Sequence, residues 1–568
     1  MDSASLSPES RTESLAAMAA EELDILVIGG GVVGAGAALD AAARGLRVGI
    51  VEARDWASGT SSRSSKLIHG GLRYLEMLDF RLVFEALRER GLLVETIAPH
   101  LVHPVQFLYP LTHRVWERAY VGAGILLYDT LAVLGGRRKG LAFSRHLGRT
   151  GARRDFPGLA PKALVGAIRY SDAQVDDARH TVTVVRTAVA QGAFAASRTR
   201  VSRITRDGMA VTGAELVDQE TGRSYLVCAK RVINAGGVWT DELQELAGTR
   251  AGFTVRASKG VHIVVERERI PGSSGLILKT EKSVLFVIPW GKQWIIGTTD
   301  TDWKLDLAHP SVSAKDIDYL LGHVNAVLDS PLTREDILGV YAGLRPLVAG
   351  ENAETSKLSR EHHISEPLEH YVVIAGGKYT TYRIMAKDAV DIAVCSLGRA
   401  VPASSTAVLP LLGAEGFHEL WDARRALAAD HGIPVPAVEH LLKRYGTLTH
   451  EVLGLIGESP SLSAALPGGD YLRAEVVYAV THEGARHLDD VLARRTRLSI
   501  ESWDRGVDAA PEVAELMAPL LGWSAEETAQ EIEHYRERVA AERAAQLQPD
   551  DLSSETARLT APEIVPQR

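Results

Sequence analysis

A change in the spacing of apolar residues marks the start of the folded chain. Apolar positions run together at residues 24–27, follow helical spacing in an alanine-rich stretch, and run together again up to Glu52. Glycines separate the first two segments, so the order of strand, tight turn, helix and strand predicts a complete βαβ unit. Residues 1–22 lack a basic start and a long apolar run, and we expect them to form a disordered tail rather than a secretory signal.

Later parts of the chain have other patterns. Residues 81–138 have helical spacing with interspersed aromatics and prolines, and we expect this block to lie outside the first sheet. Between residues 261 and 300, β-branched and aromatic runs alternate with turn signals, which predicts an antiparallel sheet that walls a substrate pocket. The predicted organisation is a disordered tail at 1–22, a discontinuous nucleotide-binding domain at 23–80, 150–255 and 336–400, a cap at 81–149 and 256–335, a helical domain at 401–547, and a flexible tail at 548–568.

Composition narrows the class of protein. The 568 residues are 46% hydrophobic and 24% charged, which excludes a small disulfide scaffold, wholesale disorder and a polytopic membrane protein. The net charge of −9 is evenly distributed, so we expect no nucleic-acid partner. The apolar segment 121–136 contains Asp129 and is shorter than the roughly 20 residues that span a bilayer. Cys228 and Cys395 lack metal-ligand spacing, so we expect a reducing compartment and no metal site.

The first glycine cluster has the spacing of a dinucleotide-binding turn. Gly29, Gly31 and Gly34 form G-x-G-x-x-G directly after the first strand, where the backbone must turn tightly and approach a pyrophosphate. Glu52 ends the second strand, where a carboxylate accepts hydrogen bonds from ribose hydroxyls. A glycine-rich turn without a ligand is the alternative. The sequence contains no second fingerprint, which favours a single nucleotide, FAD, over a flavin with a separate NAD(P)H site.

A polar segment at residues 59–76 combines hydroxyls, cations and paired glycines that suit a pyrophosphate and a flavin edge. A polar surface loop is the alternative. Three later strand ends carry similar chemistry: residues 233–241, the GLRPL string, and the GGKYTTYR string, in which a diglycine precedes a helix start. The predicted cofactor contacts from these segments and from one further strand are Ser62, Ser65, Lys66, Gly70, Gly71, Val201, Ala235, Gly236, Trp239, Gly377, Lys378, Thr380 and Thr381.

Six strings carry a family resemblance over nearly the whole chain. They are GGGVVGAGAALDAAARGLRVGIVE, SSRSSKLIHGGLRYLE, INAGGVWTD, IIGTTDTDW, YAGLRPL and GGKYTTYR, in this order. The chain resembles the FAD-dependent, quinone-linked glycerol-3-phosphate dehydrogenases. The resemblance implies an α/β fold, with a Rossmann-like FAD-binding domain of the glycine-oxidase and D-amino-acid-oxidase type, an antiparallel β substrate-binding cap and a helical C-terminal domain.

The resemblance also implies the oxidation of sn-glycerol 3-phosphate to dihydroxyacetone phosphate, with hydride transfer to N5 of FAD and electron transfer onward to a quinone. Arg73, Arg345 and Lys378 supply cations near the predicted flavin segments, as a phosphorylated substrate requires. His69 is our first choice for the base, because the ordinary pKa of histidine lies near the working pH. A structural His69, with Lys378 or Arg345 polarising the hydroxyl, is the alternative, and His262 is a weaker candidate base.

Two alternatives to a quinone-linked dehydrogenase stay open: a soluble oxidase that reduces oxygen, and a FAD-binding sensor without catalysis. Trp116, Tyr120 and Tyr128 favour attachment to an anionic membrane surface, although buried helix packing explains these apolar residues equally well. We expect a cytoplasmic protein on the inner face of the cell membrane, and leave open whether it forms a homodimer. The basic residues near these aromatics are Arg114, Arg118, Arg137, Arg138 and Lys139.

Overall fold

Three β-sheets and a set of packed helices make up the structure. The computed structural model describes residues 4–71, 79–113, 116–135, 141–281, 284–349 and 362–565. Within these ranges the strands are β1 Ile25–Ile28, β2 Val48–Val51, β3 Leu67–Ile68, β4 Val102–Leu111, β5 Arg145–Gly148, β6 Gly166–Val175, β7 Phe194–Ala196, β8 Thr199–Asp207, β9 Ala210–Asp218, β10 Ser224–Cys228, β11 Val232–Asn234, β12 Thr254–Glu266, β13 Gly275–Lys279, β14 Val284–Trp290, β15 Gln293–Gly297, β16 Thr301–Trp303, β17 Ile337–Ala349, β18 His362–Leu368 and β19 Tyr371–Gly376.

The glycine cluster lies at the end of β1, in the middle of a sheet with the order β18-β19-β11-β1-β2-β7. β1 is parallel to β2 and β11, and β11 is parallel to β19, so the carboxyl ends of these strands meet at one edge. All residues of β1 and β2 are buried, as continuous apolar strands require. The helix Val32–Ala43 follows β1 directly, which confirms the predicted Rossmann-like unit.

A larger sheet forms the cap. Its main path is β16-β12-β15-β14-β13-β4-β6-β3, with β17 also paired to β12 and β5 to β6. β12 and β17 run antiparallel along almost their whole length, which brings Arg345 opposite Ser258. Their cross-strand pairing therefore joins two segments that lie 87 residues apart in the sequence. The antiparallel pairing expected for residues 261–300 is confirmed, although β13 and β4 of the same sheet are parallel. A smaller antiparallel sheet, β10-β9-β8, packs beside the nucleotide-binding domain.

The expected helical block at 81–138 is wrong in its middle, because residues 102–111 form β4 and pair with β6 along their whole length. The prolines in this segment suggested helix breaks. The residues of β4 that pair with β13 are Phe107 and Leu108, and no proline is among them. The missing proline N–H groups therefore remove no hydrogen bond between β4 and β13. β6 and β17, which the sequence assigned to the nucleotide-binding domain, also belong to the cap sheet.

Both predicted tails contain helices that pack on the folded chain. The expectation of disorder at 1–22 is wrong for the helix Pro8–Ala20, where Arg11 forms a buried ion pair with Asp218 at 2.6 Å. The sequence suggested a solvated segment because this partner lies 207 residues away. The predicted flexible tail at the C-terminus likewise contains the helix Asp551–Arg558. In both tails, long-range contacts order segments that are polar in sequence.

Helices cover the first sheet and build the predicted C-terminal domain, which is confirmed. Val32–Ala43 packs against both Asp177–Ala190 and Tyr382–Val394. Among the described helices, none combines the length and apolar content needed to cross a bilayer. The C-terminal helices are Phe417–Asp422, Arg424–His431, Val435–Tyr445, Thr449–Glu458, Arg473–Thr481, Leu498–Glu501, Ala510–Leu521 and Ala525–Ala545, and other α-helices are Phe80–Leu92, Trp116–Leu134, Arg149–Asp155, Thr240–Leu246 and Ala314–Asn325.

Buried ion pairs join the C-terminal domain to the nucleotide-binding domain. Asp55, which follows β2, pairs with Arg494 at 2.5 Å and with Arg495 at 2.7 Å. Arg198, which precedes β8, pairs with Asp490 at 2.8 Å. Removing one partner of a buried pair leaves an uncompensated charge at a cost of about 3–5 kcal/mol. These contacts therefore hold the C-terminal domain against the loop that follows β2.

Candidate active site

A cavity opens between the carboxyl edge of the first sheet and the cap sheet. Its walls come from the turns after β1, β11 and β19, the loop after β2, and strands β12, β14 and β17. Ligands of doubly wound sheets bind at such strand ends. The predicted site residues that line this cavity are Gly29, Gly31, Glu52, Ser65, His69, Gly71, Ala235, Gly236, Trp239, Arg345, Gly377 and Lys378.

The glycine turn after β1 leaves no room for side chains at two of its positions. A Cβ atom on Gly29 would lie 2.6 Å from the carbonyl oxygen of Ala235, and one on Gly34 would lie 1.9 Å from the carbonyl oxygen of Gly29. Gly34 thus allows close packing of the helix on β1 rather than lining the cavity. At Gly31, which does line the cavity, a Cβ would meet only Ser61 Oγ, at 3.2 Å.

Glu52 lies beside the same turn. Its carboxylate accepts hydrogen bonds from the Gly30 N–H at 2.7 Å and from the Arg54 N–H at 2.8 Å. Burial raises the pKa of Glu52, while these two donors and the charge of Arg54 oppose the rise. The carboxyl group lines the cavity with acceptor capacity left for ribose hydroxyls, so Glu52 stays the predicted ribose contact.

Of the predicted cofactor contacts in the loop after β2, some line the cavity and others lie in the protein interior. Ser65 lines the cavity, and its Oγ lies 2.8 Å from His262 Nε2. The Lys66 ammonium group is fully buried, 2.7 Å from Asp177 and 3.1 Å from the Ser62 carbonyl oxygen. Lys66 and Ser62 were predicted as cofactor contacts, but the Lys66 ammonium group, bonded to the Ser62 carbonyl oxygen, holds the loop against the helix Asp177–Ala190. The sequence could not reveal this because Asp177 is 111 residues from Lys66.

His69 lines the cavity and its backbone is held from both sides. Its N–H donates to Thr380 Oγ1 at 3.1 Å, and the Thr380 hydroxyl donates to the His69 carbonyl oxygen at 3.2 Å. The Gly70 N–H donates to the Tyr128 hydroxyl oxygen at 2.8 Å. Thr380 and Gly70, predicted as cofactor contacts, thus support the turn that carries His69. The predicted Arg73 lies outside the described residues.

Two more predicted cofactor contacts lie away from the cavity walls. Val201 is buried in β8, in a core that includes Ile204 and Leu216. The Thr381 hydroxyl donates to the Lys378 carbonyl oxygen at 3.4 Å, which closes the turn before the next helix. Strand residues and hydroxyls at helix starts serve packing and capping as often as ligand binding, so their sequence signal is ambiguous.

The cap end of the cavity carries Arg345 and His262. The Arg345 guanidinium donates to Thr298 Oγ1 at 3.0 Å. The His262 ring stacks on Tyr341, with ring centroids 4.6 Å apart. Burial, followed by the charges of Arg345 and Lys66, lowers the pKa of His262 well below its usual value. This imidazole is therefore neutral at neutral pH.

Sequence reasoning missed the residues that position Arg345. Asp300 pairs with Arg345 at 3.5 Å and also accepts a hydrogen bond from Ser258. Thr298 and Asp300 lie in the IIGTTDTDW string, so the motif was visible although its members were not assigned a role. Ser258 lies in β12, where strand spacing gives no sign of a polar contact across the sheet.

Asp172 is a cavity residue that the sequence did not single out. Its carboxylate accepts hydrogen bonds from Arg90 at 2.5 Å and from the Tyr128 hydroxyl at 2.6 Å. Tyr128, which the sequence grouped with possible membrane-facing aromatics, is buried in this network. Its hydroxyl thereby connects Asp172 to the turn of His69.

The lining residues fit a dinucleotide of the FAD type. Gly31 lines the cavity without a side chain at the start of the helix Val32–Ala43, so a pyrophosphate can approach the backbone there, where the Val32 N–H donates to Ser61 Oγ at 2.9 Å. Gly236 and Gly377 offer side-chain-free backbone to a flat ring system, and Trp239 lies beside them. The Glu52 carboxylate, the glycine turn after β1, and the backbone of Gly236 and Gly377 thus line one cavity.

Comparisons with known proteins agree with this geometry. A family model described as FAD dependent oxidoreductase matches residues 24–391, and one described as the C-terminal domain of alpha-glycerophosphate oxidase matches residues 404–528. The chain is 55% identical to glycerol-3-phosphate dehydrogenase 2 of Mycobacterium tuberculosis over 99% of this chain and 95% of that protein. The chain belongs to the FAD-dependent glycerol-3-phosphate dehydrogenase family. Its cofactor is accordingly FAD.

Other members of the glycerol-3-phosphate dehydrogenase family align at lower identity. The human mitochondrial enzyme is 37% identical over 91% of this chain and 73% of its own length. The structure of the Bacillus halodurans glycerol-3-phosphate dehydrogenase, complexed with FAD, is 30% identical with a TM-score of 0.78, covering 94% of this chain and 98% of that one. The Mycoplasma pneumoniae L-alpha-glycerophosphate oxidase, at 18% identity and a TM-score of 0.52, covers 69% of this chain and 99% of its own, and shares the fold alone.

Proposed function

We propose that this chain oxidises sn-glycerol 3-phosphate to dihydroxyacetone phosphate and that its electron acceptor is a membrane quinone. One observation carries the proposal: the cavity that fits FAD is also lined by the cations Arg345 and Lys378 and by the histidines His69 and His262. Bound FAD supplies the hydride acceptor, its N5 atom. The relatives named glycerol-3-phosphate dehydrogenase support this choice of substrate.

Arg345 and Lys378 are the proposed phosphate ligands, and Arg73 is proposed as a third from the segment outside the described residues. Thr298 and Asp300 orient the Arg345 guanidinium, which presents paired donors that match phosphate oxygens. The Lys378 ammonium group is buried at the turn after β19. Cations held in a low-dielectric cavity favour a doubly charged phosphate over an uncharged alcohol.

We propose His69 as the base that removes the proton of the C2 hydroxyl. His262 is the second candidate, because it lines the same cavity and is neutral at neutral pH, as a base must be before it accepts a proton. Replacing the base with Gln should slow flavin reduction by about 10²–10⁴-fold and remove the acidic limb of its pH profile. Replacing a merely structural histidine should instead change the FAD content and leave that limb in place.

The electron acceptor separates the proposed function from its alternatives. FAD-loaded protein is supplied with sn-glycerol 3-phosphate and either a soluble quinone analogue or oxygen, at equal flavin concentration. We expect faster turnover with the quinone. Equal or faster turnover with oxygen would support a soluble oxidase, and FAD binding without turnover on either acceptor would support a sensor.

The helix Trp116–Leu134 supports attachment to a membrane surface. Its exposed positions recur every three to four residues and carry no charged side chain, whereas Asp129 is buried. Leu134 is 69% exposed and Leu126 is 66% exposed. An uncharged outer face of this kind is typical of helices that lie in a membrane interface. Its exposed residues are Trp116, Ala119, Tyr120, Ala123, Leu126, Leu127, Thr130, Val133 and Leu134.

We propose that this face inserts into the inner surface of the cell membrane, where reduced flavin reaches quinone. Leu126→Glu should abolish the part of vesicle binding that survives high salt, since salt screens charge attraction but not apolar insertion. Leu552→Glu is a matched control, because Leu552 is 65% exposed on a C-terminal helix. Protein that stays in the supernatant, or a Leu126→Glu change that dissolves a homodimer without affecting vesicle binding, would contradict the proposal.

A further inference from the structure

A second cavity of about 130 Å³ lies where the loop after β2, strand β17 and the last helices of the chain meet. We call it the arginine pocket, because Arg63, Arg494, Arg497, Arg538 and Arg558 line it. His309, Ser311 and Ser499 add polar groups to its walls. Its C-terminal wall comes from residues beyond 528, where the match to the second family model ends.

Two of the five arginines are compensated by carboxylates. Arg494 pairs with Asp490 at 2.6 Å and with Asp489 at 2.7 Å, in addition to its bond with Asp55. Arg497 pairs with Asp177 at 2.7 Å and with Asp176. These guanidinium groups line the arginine pocket but are committed to the contacts that join the domains.

The other three arginines have fewer negative partners than positive charges. Arg538 and Arg558 share Glu542, at 3.2 Å and 3.6 Å, and Arg538 also contacts Asp489. Arg63 donates one hydrogen bond, to the Ala308 carbonyl oxygen at 2.9 Å, and forms no ion pair within the described part of the chain. The arginine pocket therefore holds an excess of positive charge in a partly dehydrated space.

The charges in the arginine pocket act on each other as this excess predicts. Burial, followed by repulsion from Arg494 and Arg538, lowers the pKa of Arg63 to about 9. Although burial opposes ionisation of Glu542, the arginines around it hold its pKa at about 2. The neighbouring arginines thus lower the pKa of both Arg63 and Glu542, which indicates a positive potential that an added anion would relieve.

We propose that the arginine pocket binds a small oxyanion with at least two negative charges, of the class of inorganic phosphate or the phosphate group of a small metabolite. Guanidinium groups bind such oxygens through paired hydrogen bonds, and Arg63, Arg538 and Arg558 come from three separate segments that converge on one small volume. An anion there would complete the ion pairing of Arg63 and Arg558.

The arginine pocket is connected to the flavin cavity. Arg63 lines both cavities. Tyr341 lines the arginine pocket and stacks on His262 of the flavin cavity, with ring centroids 4.6 Å apart. Bound oxyanion should therefore change the rate of flavin reduction without competing with substrate, since it acts from behind the His262 ring rather than at the substrate end.

Calorimetric titration of the FAD-loaded protein with inorganic phosphate, at constant ionic strength, tests the proposal. We expect Arg558→Gln to weaken phosphate binding by at least about tenfold, because a charge-assisted contact is lost. Glu542→Gln breaks the same ion pair but removes a negative charge, so it should tighten binding. Arg269→Gln, which removes a paired arginine of the cap surface, is the control and should leave binding unchanged.

Phosphate can also enter the substrate end of the flavin cavity, so the titration is repeated in Arg345→Ala protein. Binding that persists in Arg345→Ala and shifts in opposite directions in the Arg558→Gln and Glu542→Gln proteins supports the second site. A general loss of stability cannot mimic opposite shifts. Binding that disappears in Arg345→Ala, equal affinities of the wild-type, Arg558→Gln and Glu542→Gln proteins, or no measurable binding would overturn the proposal.

Discussion

The two ends of the flavin cavity are built in different ways. At the pyrophosphate end, Gly29, Gly31, Gly34 and Glu52 all belong to one βαβ unit, and their geometry follows from a single turn. At the cap end, Arg345 contacts Thr298, in the turn after β15, and Ser258 of β12, which lie 47 and 87 residues away in the sequence. The first end depends on local backbone conformation, and the second on the register of β12 against β17. The two ends should therefore fail in different ways when residues are changed.

Gly34→Ala has the largest expected effect, because it acts on the local end through backbone atoms. The new Cβ would lie 1.9 Å from the Gly29 carbonyl oxygen, so the helix must move away from β1. We expect a loss of stability beyond the about 1–3 kcal/mol of ordinary overpacking, and little bound FAD. Calorimetry and flavin absorbance measure both quantities.

Gly124→Ala is the matched control for this substitution. No atom lies within 4 Å of a Cβ at Gly124, which is also a helical glycine. We expect unchanged FAD content and a stability that is equal or higher by up to about 1 kcal/mol. If Gly34→Ala protein were as yellow and as stable as this control, the packing role of Gly34 would be wrong.

A pH titration tests the contacts that join distant segments. His487 of the C-terminal domain lies 2.6 Å from Glu531 and 3.1 Å from Glu220, in the turn between β9 and β10. Although burial and Arg198 oppose protonation, these two carboxylates raise the pKa of His487 to about 9. A raised pKa stabilises the folded state fully below the ordinary value of about 6.5, and this stabilisation is lost as the pH rises through about 9.

We therefore expect the stability of the wild-type protein to fall between pH 7 and pH 9.5 by up to about 3 kcal/mol more than that of His487→Gln. Lysines and tyrosines that titrate at high pH affect both proteins alike, so the difference between the two stability profiles reports on His487. Thermal unfolding across this range makes the measurement. Parallel stability profiles would contradict the interdomain role of the protonated imidazole.

Arg345→Ala tests the cap end without disturbing the pyrophosphate end. We expect kcat/KM for sn-glycerol 3-phosphate to fall roughly 10- to 150-fold, which corresponds to a loss of about 1.5–3 kcal/mol of transition-state stabilisation. FAD content and the slow oxidation of glycerol should change little. Arg334→Ala, which removes an exposed cap arginine paired with Asp318, should be neutral. Equal proportional losses on both substrates would argue for a structural role of Arg345.

Thr380→Val has the smallest expected effect, because it touches the cavity only through His69. The change removes both hydrogen bonds between the Thr380 hydroxyl and the His69 backbone. Because a lost hydrogen bond costs about 1 kcal/mol, flavin reduction should slow roughly fivefold while the FAD content stays full. Thr380→Ser should restore the wild-type rate. Loss of FAD in Thr380→Val, with rescue by Ser, would instead make Thr380 a cofactor contact.

The same contrast explains what the sequence could predict. The glycine spacing, Glu52 and the diglycine before Lys378 are local signals, and the structure brings these residues to one cavity. The order of apolar runs predicted the Rossmann-like unit, the antiparallel cap and the helical C-terminal domain. Each of these features is encoded within a few turns or strands, so no distant partner was needed to recognise it.

Features that depend on distant partners could not be predicted from the sequence. Lys66 carries the charge expected of a phosphate ligand, but Asp177 neutralises it in the interior. The polar helix Pro8–Ala20 looked disordered because the buried partner of Arg11 was not visible. β4 looked helical because its prolines were interpreted without knowing which positions pair on each side. In each case the deciding interaction links residues far apart in the chain.

We infer that one cavity joins a FAD cradle to a site for a phosphorylated alcohol. Anaerobic titration of the FAD-loaded protein with sn-glycerol 3-phosphate, followed by flavin absorbance, tests it most directly. We expect sn-glycerol 3-phosphate to bleach the flavin, with far less bleaching by glycerol at the same concentration. A flavin spectrum that stays yellow with sn-glycerol 3-phosphate, or that bleaches equally with both alcohols, would contradict it.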